Sequence, residues 1–132
     1  MKKVLIVDDA AFIRMMIKDA LKADFDIVGE AKSGEESLEM FKDFNPDAVT
    51  MDISLAGDMN GIEALEKIKQ MNRHAVVIMV SSMGEEEYIK RSIDLGAAEF
   101  VVKPFSKDAI LMVLASEYFA QEDYIYKPYA DD

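Results

Sequence analysis

The sequence predicts an α/β fold, a doubly wound (βα)5 arrangement in which helices cover both faces of a parallel five-stranded sheet of order 2-1-3-4-5. Five short apolar runs rich in Val and Ile alternate with longer segments of helical period. Each run has the length of a buried strand, as expected where a parallel sheet is covered on both faces. The chain has 132 residues, 51% of them hydrophobic, which suffices for one domain with a substantial core.

Each apolar run is followed by a helical stripe, in which apolar residues recur three or four positions apart. The predicted strands are Lys3–Val7, Asp26–Ala31, Ala48–Met51, 76–80 and 100–102. The stripes that follow them are, in order, Phe12, Ile13, Met16, Ile17 and Ala20; Leu38, Met40, Phe41 and Phe44; Ile62, Leu65 and Ile68; Tyr88, Ile89 and Ile93; and Ile110, Leu111, Leu114 and Phe119.

Local signals mark helix starts and the end of the domain. Ser33 and Glu36 have the spacing of a capping box at the start of the second helix. Acids at 85–87 lie at the first turn of the fourth helix, where the helix dipole favours negative charge. The helical pattern ends at residue 119. We therefore divide the chain into a domain at 1–119 and an acidic, tyrosine-rich C-terminal extension at 120–132, which either is solvated or docks onto the domain or a partner.

The composition excludes several classes of function. The chain carries 26 Asp and Glu against 15 Lys and Arg, a formal charge of −11, which disfavours direct nucleic-acid binding. It contains no cysteine, so disulfides and thiolate metal sites are excluded. Near the N-terminus only four apolar residues precede Asp8, too few for a signal peptide or a membrane span. We expect a cytoplasmic protein without membrane insertion.

Ligands of open α/β sheets bind at the carboxyl ends of the strands, and polar side chains follow several of the predicted strands. Asp8 and Asp9 end the first run, Asp52 the third, Ser81 the fourth and Lys103 the fifth. Strands 1 and 3 are neighbours in the predicted sheet, so the three carboxylates should converge. Two alternatives stay open: Asp8 and Asp9 as N-cap residues of the first helix, and Lys103 as a structural counter-ion.

Converging carboxylates repel one another and call for a counter-charge. At roughly 4 Å and an effective dielectric constant of 20, each pair costs about 4 kcal/mol, so protons or a divalent cation must occupy the site. Oxygen ligands without His or Cys suit Mg²⁺. The ammonium of Lys103 and the hydroxyl of Ser81 would also hold the oxygens of a transferred phosphoryl group. These residues therefore favour a site for Mg²⁺ and a phosphoryl group.

The combined motifs resemble those of response-regulator receiver domains. Four motifs occur in the family's order and at about its spacing: Asp8-Asp9, Met51-Asp52-Ile53, Ser81-Ser82-Met83-Gly84 and Val102-Lys103-Pro104-Phe105. Residues 4–16 are most similar to the stand-alone chemotaxis receivers of the CheY type. The resemblance covers residues 2–119 and implies the flavodoxin-like form of the doubly wound fold.

The resemblance implies a role for each strand-end residue. Asp52 would accept a phosphoryl group from a histidine kinase. Mg²⁺ would be bound by Asp9, Asp52 and the backbone carbonyl of Ser54, with Asp8 acting largely through bound water. Lys103 would pair with the phosphoryl group, and its bond to Pro104 is usually cis in the family. Such a protein is a signalling protein rather than an enzyme, and it promotes its own phosphorylation and dephosphorylation.

The resemblance also implies a switch and an output surface. The Ser81 hydroxyl would turn toward the phosphoryl oxygens, and the rotamer of Phe100 would report phosphorylation, although a phenylalanine in a buried strand is more often plain core. Output would come through protein contact on the face of the fourth helix, fifth strand and fifth helix, around Tyr88, Lys90, Phe100 and Lys107. Residues 67–116, which include that face, hold 6 acids and 7 bases, whereas 30–66 hold 10 acids and 2 bases.

One stretch departs from the family pattern. Receivers commonly have a Met-Pro pair after the acceptor, where this chain has Leu55-Ala56, and Gly61 follows Asp52 by nine residues instead of eight. The loop at 55–60 is therefore one residue longer and lacks the proline. Because this loop borders the metal site, it bears on Mg²⁺ affinity and on the lifetime of the phosphorylated state.

Other functions stay open at this point. Within signalling, the alternative to an effector-binding chemotaxis regulator is a phosphorelay intermediate or phosphate sink. A flavodoxin-like electron carrier would need a Ser/Thr/Gly-rich phosphate loop after the first strand, and Asp8-Asp9-Ala10 has the wrong charge for that. An aspartyl-phosphate hydrolase would need a partner acid two residues after its nucleophile, a place that Ser54 holds.

Overall fold

Ten elements alternate strictly between strand and helix in the computed structural model, which describes residues 1–119. The strands are β1 (Lys3–Val7), β2 (Asp26–Ala31), β3 (Ala48–Met51), β4 (Val76–Ser81) and β5 (Glu99–Val102). All neighbouring pairs are parallel, in the order β2-β1-β3-β4-β5. The predicted fold class and strand order are confirmed, each strand to within one residue. The predicted extension at 120–132 lies outside the described residues.

Five helices cover the two faces of the sheet: α1 (Ala11–Leu21), α2 (Gly34–Phe44), α3 (Gly61–Met71), α4 (Glu86–Asp94) and α5 (Lys107–Ala115). Alternate residues of each strand point to opposite faces, so Leu5 and Val7 join a core with α2 and α3, whereas Val4 and Ile6 join one with α1 and α5. Among the described residues no helix is long and apolar enough to cross a membrane.

The register of the central strands brings the polar strand ends to one level. Val7 of β1 lies opposite Met51 of β3, and the Asp52 amide donates to the Val7 carbonyl at 3.0 Å. On the other side of β4, the Lys103 amide donates to the Ser81 carbonyl at 3.0 Å. Residues that follow the strands therefore emerge side by side at the carboxyl edge of the sheet.

The helix starts differ in part from the prediction. The Ser33 hydroxyl accepts from the Glu36 amide at 3.0 Å, but the Glu36 carboxylate accepts from Lys32 N–H at 3.3 Å and not from Ser33, so only half of the predicted capping box forms. A complete box, which the sequence analysis did not identify, caps α3 between Asn60 and Glu63. Of the three acids at 85–87, the first is the N-cap of α4 and the other two occupy its first turn.

The sequence predicts Phe12 in the buried stripe of α1, but Phe12 is 64% exposed, so that prediction is wrong. The buried face of α1 is centred on Ile17 and Leu21. At about 100° per residue, Phe12 lies about 140° around the helix from Ile17, beyond the width of the contact with the sheet. Met15 is also half exposed, so α1 presents apolar side chains to solvent near its N-terminal end.

Candidate functional site

Three carboxylates meet at the carboxyl edge of the sheet. Asp8 and Asp9 follow β1, and Asp52 follows the adjacent β3. One carboxylate oxygen from each residue lies within 4.8 Å of the others. Asp8 and Asp52 are buried, at 1% and 5% exposure, while Asp9 is exposed at the mouth of the site. The predicted convergence of these residues is confirmed.

Lys103 joins the carboxylates from the far side of the site. It follows β5, its bond to Pro104 is cis, and its side chain is only 17% exposed. Its ammonium donates to Asp8 Oδ2 at 2.7 Å and to Asp52 Oδ2 at 3.0 Å. The lysine therefore neutralises part of the acidic pocket, as its interpretation as a structural counter-ion requires.

The second oxygen of each buried carboxylate is held by a backbone amide. Asp8 Oδ1 accepts from Ala10 N–H at 2.9 Å, and Asp52 Oδ1 accepts from Ile53 N–H at 2.7 Å. The side chain of an N-cap residue accepts from an amide in the first turn of the helix. The Ala10 amide lies before that turn, because Ala10 is itself the N-cap of α1, and it has no side-chain hydrogen bond. The N-cap interpretation of Asp8 and Asp9 is therefore wrong.

The electrostatics follow from burial and from the pairing of charges. Burial raises the pKa of Asp8, and the neighbouring Asp52 charge adds to this, while the hydrogen bonds from Lys103 and Ala10 oppose it. For Lys103, burial disfavours the ammonium, but its bonds to Asp8 and Asp52 outweigh that effect and raise its pKa. Lys103 therefore stays positively charged at neutral pH.

The donor set fits a hard divalent cation. Three carboxylates against one ammonium leave two formal negative charges when all groups are ionised. All the side-chain donors are oxygens, and one of the three carboxylates is open to solvent, as a partly hydrated Mg²⁺ requires. Ser54, whose carbonyl is the remaining predicted ligand, is exposed two residues beyond Asp52.

Comparison with known proteins agrees with this geometry. The model of the response regulator receiver domain family matches residues 4–115, so the chain belongs to that family. The chemotaxis protein CheY of Thermotoga maritima is 45% identical over 114 residues, which cover 86% of this chain and 94% of that one. CheY of Bacillus subtilis is 49% identical over 110 residues, covering 83% and 91%. This chain is a receiver domain of the CheY type.

A solved structure shows the same architecture. A chain in the crystal structure of the CheX-CheY-BeF3-Mg²⁺ complex from Borrelia burgdorferi superposes with a TM-score of 0.85 at 34% identity, covering 90% of each chain. The family assignment makes the protein a two-component response regulator and a signalling protein. It also removes the electron-carrier and hydrolase alternatives, which the residues after β1 and β3 had already disfavoured.

The receiver places Ser81 and Phe100 beside the acidic pocket and the core. Ser81 ends β4, between β3 and β5, and is fully buried. Its hydroxyl oxygen accepts from Met83 N–H at 3.2 Å. Phe100 of β5 is half-buried and packs against the core formed with α2 and α3, together with Tyr88 and Met83. Phe100 is therefore a partly buried core residue, and it packs against the same cluster as Met83, which follows Ser81 by two residues.

The unusual loop of the receiver, residues 55–60, is tied to the start of α2. Ala56 forms a parallel β-bridge with Ser33, and the Met59 amide donates to Glu35 Oε1 at 3.3 Å. Gly57 has a φ of +86°, and a Cβ there would lie 2.5 Å from Glu35 Oε2. The loop thus makes a glycine turn against Glu35, a contact that no signal in the sequence indicated.

A second contact that the sequence analysis missed involves Arg14 of α1. Its Nη1 donates to the Asp8 carbonyl at 2.8 Å, and its Nε donates to Glu30 Oε1 at 3.2 Å. An arginine on an amphipathic helix is usually solvated, and a single sequence contains no signal that this one turns back toward the end of β1. In the receiver it lies under the turn that carries two of the three carboxylates.

Proposed function

We propose that the receiver accepts a phosphoryl group on Asp52 from a histidine kinase, with Mg²⁺ bound at the same site, and signals through protein contact in a chemotaxis pathway. One observation carries the proposal: the buried Asp52 carboxylate lies within 4.8 Å of those of Asp8 and Asp9, and 3.0 Å from the ammonium of Lys103. Asp52 is the proposed acceptor because, of the two buried carboxylates that an amide and Lys103 hold, it is the one that follows the central strand β3, next to β4, which Ser81 ends.

In the transfer, an Asp52 oxygen forms a bond to phosphorus as the phosphorus–nitrogen bond of the donor histidine breaks, and the departing nitrogen keeps the electron pair of that bond. The protein's contribution is positioning and charge compensation. The amide of Ile53 and the ammonium of Lys103 hold the carboxylate in one orientation before the donor arrives. Lys103 then follows the new negative charge onto the phosphoryl oxygens.

Asp9, Asp52 and the Ser54 carbonyl would hold Mg²⁺, with Asp8 acting through bound water. When bound, the cation supplies neutralisation of the phosphoryl charge. The charge that the pocket leaves uncompensated supports this: Lys103 balances only one of three carboxylates. Asp8 also keeps Lys103 in place at 2.7 Å, so its role includes orienting the lysine.

Phosphorylation would change the contacts of Ser81 and Phe100. The Ser81 hydroxyl is buried at the end of β4, and a phosphoryl group on Asp52 would offer it a new acceptor. Movement of Ser81 alters the segment to Met83, whose amide it binds, and Met83 and Phe100 belong to the same packed cluster. A local change of charge thereby reaches the face of α4, β5 and α5.

The proposed output face of α4, β5 and α5 lies in a part of the chain whose charges nearly balance. It lies around Tyr88, Lys90, Phe100 and Lys107, within a stretch of 6 acids and 7 bases, in contrast to the acidic 30–66 segment. An effector protein there is the proposed partner, besides the kinase, with no direct nucleic-acid contact and no membrane insertion. The receiver would comprise 1–119, with 120–132 as a separate extension, and would act in the cytoplasm.

The test is incubation of the full chain with Mg²⁺ and a small acyl-phosphate donor, followed by intact mass. Wild type should gain one phosphoryl group, and it should gain none when EDTA removes Mg²⁺. Asp52→Asn should gain none. Asp43→Asn, which removes an exposed acid from α2, is the matched control and should behave as wild type. An Asp52→Asn variant modified as fully as wild type would refute the proposal.

A further inference from the structure

We propose that Arg14 is a positioning residue for the Mg²⁺ site: it fixes the peptide unit between Asp8 and Asp9 and thereby sets the affinity for the cation. This inference rests on the proposed function, because it concerns the ligands of the proposed magnesium site. The residue touches neither the acceptor carboxylate nor any proposed ligand oxygen, so its effect is exerted through the backbone.

The geometry places Arg14 between two anchors. Its side chain, only 18% exposed, donates from Nη1 to the Asp8 carbonyl at 2.8 Å and from Nε to Glu30 Oε1 at 3.2 Å. Glu30 lies in β2, which pairs with β1. The guanidinium thus ties the turn after β1 to the neighbouring strand, and Glu30 orients it and offsets its charge. Lys18, one turn farther along α1, reaches Glu30 Oε2 only at 3.8 Å.

The Asp8 carbonyl that Arg14 binds influences the direction in which the Asp9 side chain leaves the backbone. It belongs to the planar peptide unit that joins Asp8 to Asp9, so holding its oxygen also fixes the starting direction of the Asp9 backbone. The other polar groups of Asp8 are held independently, its amide by the Ala31 carbonyl at 3.0 Å and its carboxylate by Ala10 and Lys103.

Asp9 has no comparable support of its own. Within residues 1–119, no hydrogen bond or ion pair restrains its carboxylate, which is exposed. Its position therefore depends on the backbone that presents it: Arg14 holds the peptide unit before Asp9, and the Asp8 carboxylate holds the Ala10 amide in the unit after it. Groups that orient metal ligands from behind commonly change metal affinity by about 10- to 100-fold when they are removed.

Charge and positioning predict effects of opposite sign, which makes the inference testable. A guanidinium near the site repels a cation, so if Arg14 acted only through its charge, its removal would tighten Mg²⁺ binding. If it acts by positioning, its removal weakens binding. Lysine at this place keeps the charge but lacks the planar fork that bonds two acceptors at once, so Arg14→Lys separates the two contributions further.

The experiment is a calorimetric titration of the full chain with Mg²⁺ alone, without a phosphodonor. Arg14→Met should bind at least about tenfold more weakly than wild type, and Arg14→Lys should also be weaker. Lys18→Met is the matched control, since it removes the same charge from the same helix beside the same Glu30, and should change the Kd by less than about twofold. In the metal-free protein, NMR should show shifted Asp9 and Ala10 amides in both Arg14 variants and not in Lys18→Met.

The outcomes separate this inference from the proposed function. Mg²⁺ binding to Arg14→Met that equals or exceeds that of wild type overturns the positioning role while leaving the metal site intact. A wild-type protein that binds no Mg²⁺ overturns the proposed function and this inference with it. If Arg14→Met does not fold, Arg14→Lys decides alone, because it preserves charge and any loss of affinity is then geometric.

Discussion

Removing the ammonium at the centre of the site should destabilise the metal-free protein by an amount that the geometry sets. In Lys103→Met, the carboxylates of Asp8 and Asp52 lose their shared partner at 2.7 and 3.0 Å and face each other within 4.8 Å. At that separation and an effective dielectric constant of 20, their repulsion costs about 3 kcal/mol. Loss of one partner from a buried ion pair has a cost of similar size, about 3–5 kcal/mol.

The pH dependence of this loss has a definite sign. Burial and the Asp52 charge already raise the pKa of Asp8 above its usual 3.8, and loss of Lys103 raises it further. The folded variant then holds a proton on Asp8 at pH values where the unfolded chain has released it, so the variant loses stability as pH rises from about 4. The difference in the free energy of unfolding between wild type and Lys103→Met should be small near pH 4 and should reach its largest value at neutral pH.

Urea unfolding in EDTA, at neutral and at acidic pH, measures both effects. Lys107→Met is the matched control, because the exposed Lys107 forms a long ion pair, 3.9 Å from Asp19. Its removal should change the free energy of unfolding by less than about 0.5 kcal/mol. Millimolar Mg²⁺ should stabilise Lys103→Met more than wild type, since it replaces the missing positive charge. A Lys103→Met protein as stable as wild type at neutral pH in EDTA would refute the reasoning.

Three further predictions concern other parts of the receiver. Thr50→Val should stabilise the protein by about 1 kcal/mol in urea unfolding, because the Thr50 hydroxyl is buried without a hydrogen-bond partner within residues 1–119; a loss of stability would contradict this. Gly57→Ala should lower the free energy of unfolding by about 1–2 kcal/mol, because Gly57 has a φ of +86° and lies against the Glu35 carboxylate. Unchanged stability would contradict this. Burial, with the charges of Asp47 and Glu117, raises the pKa of Tyr118 to about 12. Because the tyrosine of the unfolded chain loses its proton first, near pH 10, the free energy of unfolding should fall by up to about 2 kcal/mol between pH 10 and 12. Tyr118→Phe should lack that fall.

Much of the fold could be predicted because local patterns and the global architecture agree. The apolar run at Lys3–Val7 and the charged residues directly after it specify both a buried strand and its end. The spacing of Asp8, Asp52 and Lys103 along the chain then placed them at one edge once the strand order was assumed, and the structure brings them within hydrogen-bond distance.

What could not be predicted depends on side-chain direction and on loop geometry. Arg14 and Glu30 are separated by 16 residues, and their pairing requires the three-dimensional relation of α1 to β2. The hydrogen bond between Glu35 and Met59 joins residues 24 apart in the chain and depends on the path that the 55–60 loop takes past the start of α2. By contrast, the Asn60 capping box follows a readable pattern, an Asn three residues before Glu63, and could have been predicted.

The central claim is that Asp52 is the residue that carries the phosphoryl group, and locating the modification tests it most directly. Wild type treated with Mg²⁺ and an acyl-phosphate donor should be reduced with borohydride, which converts an aspartyl phosphate to homoserine, and then digested and sequenced by mass spectrometry. We predict homoserine at position 52, and none without Mg²⁺. Homoserine at Asp8, at Asp9 or at no position would contradict the account.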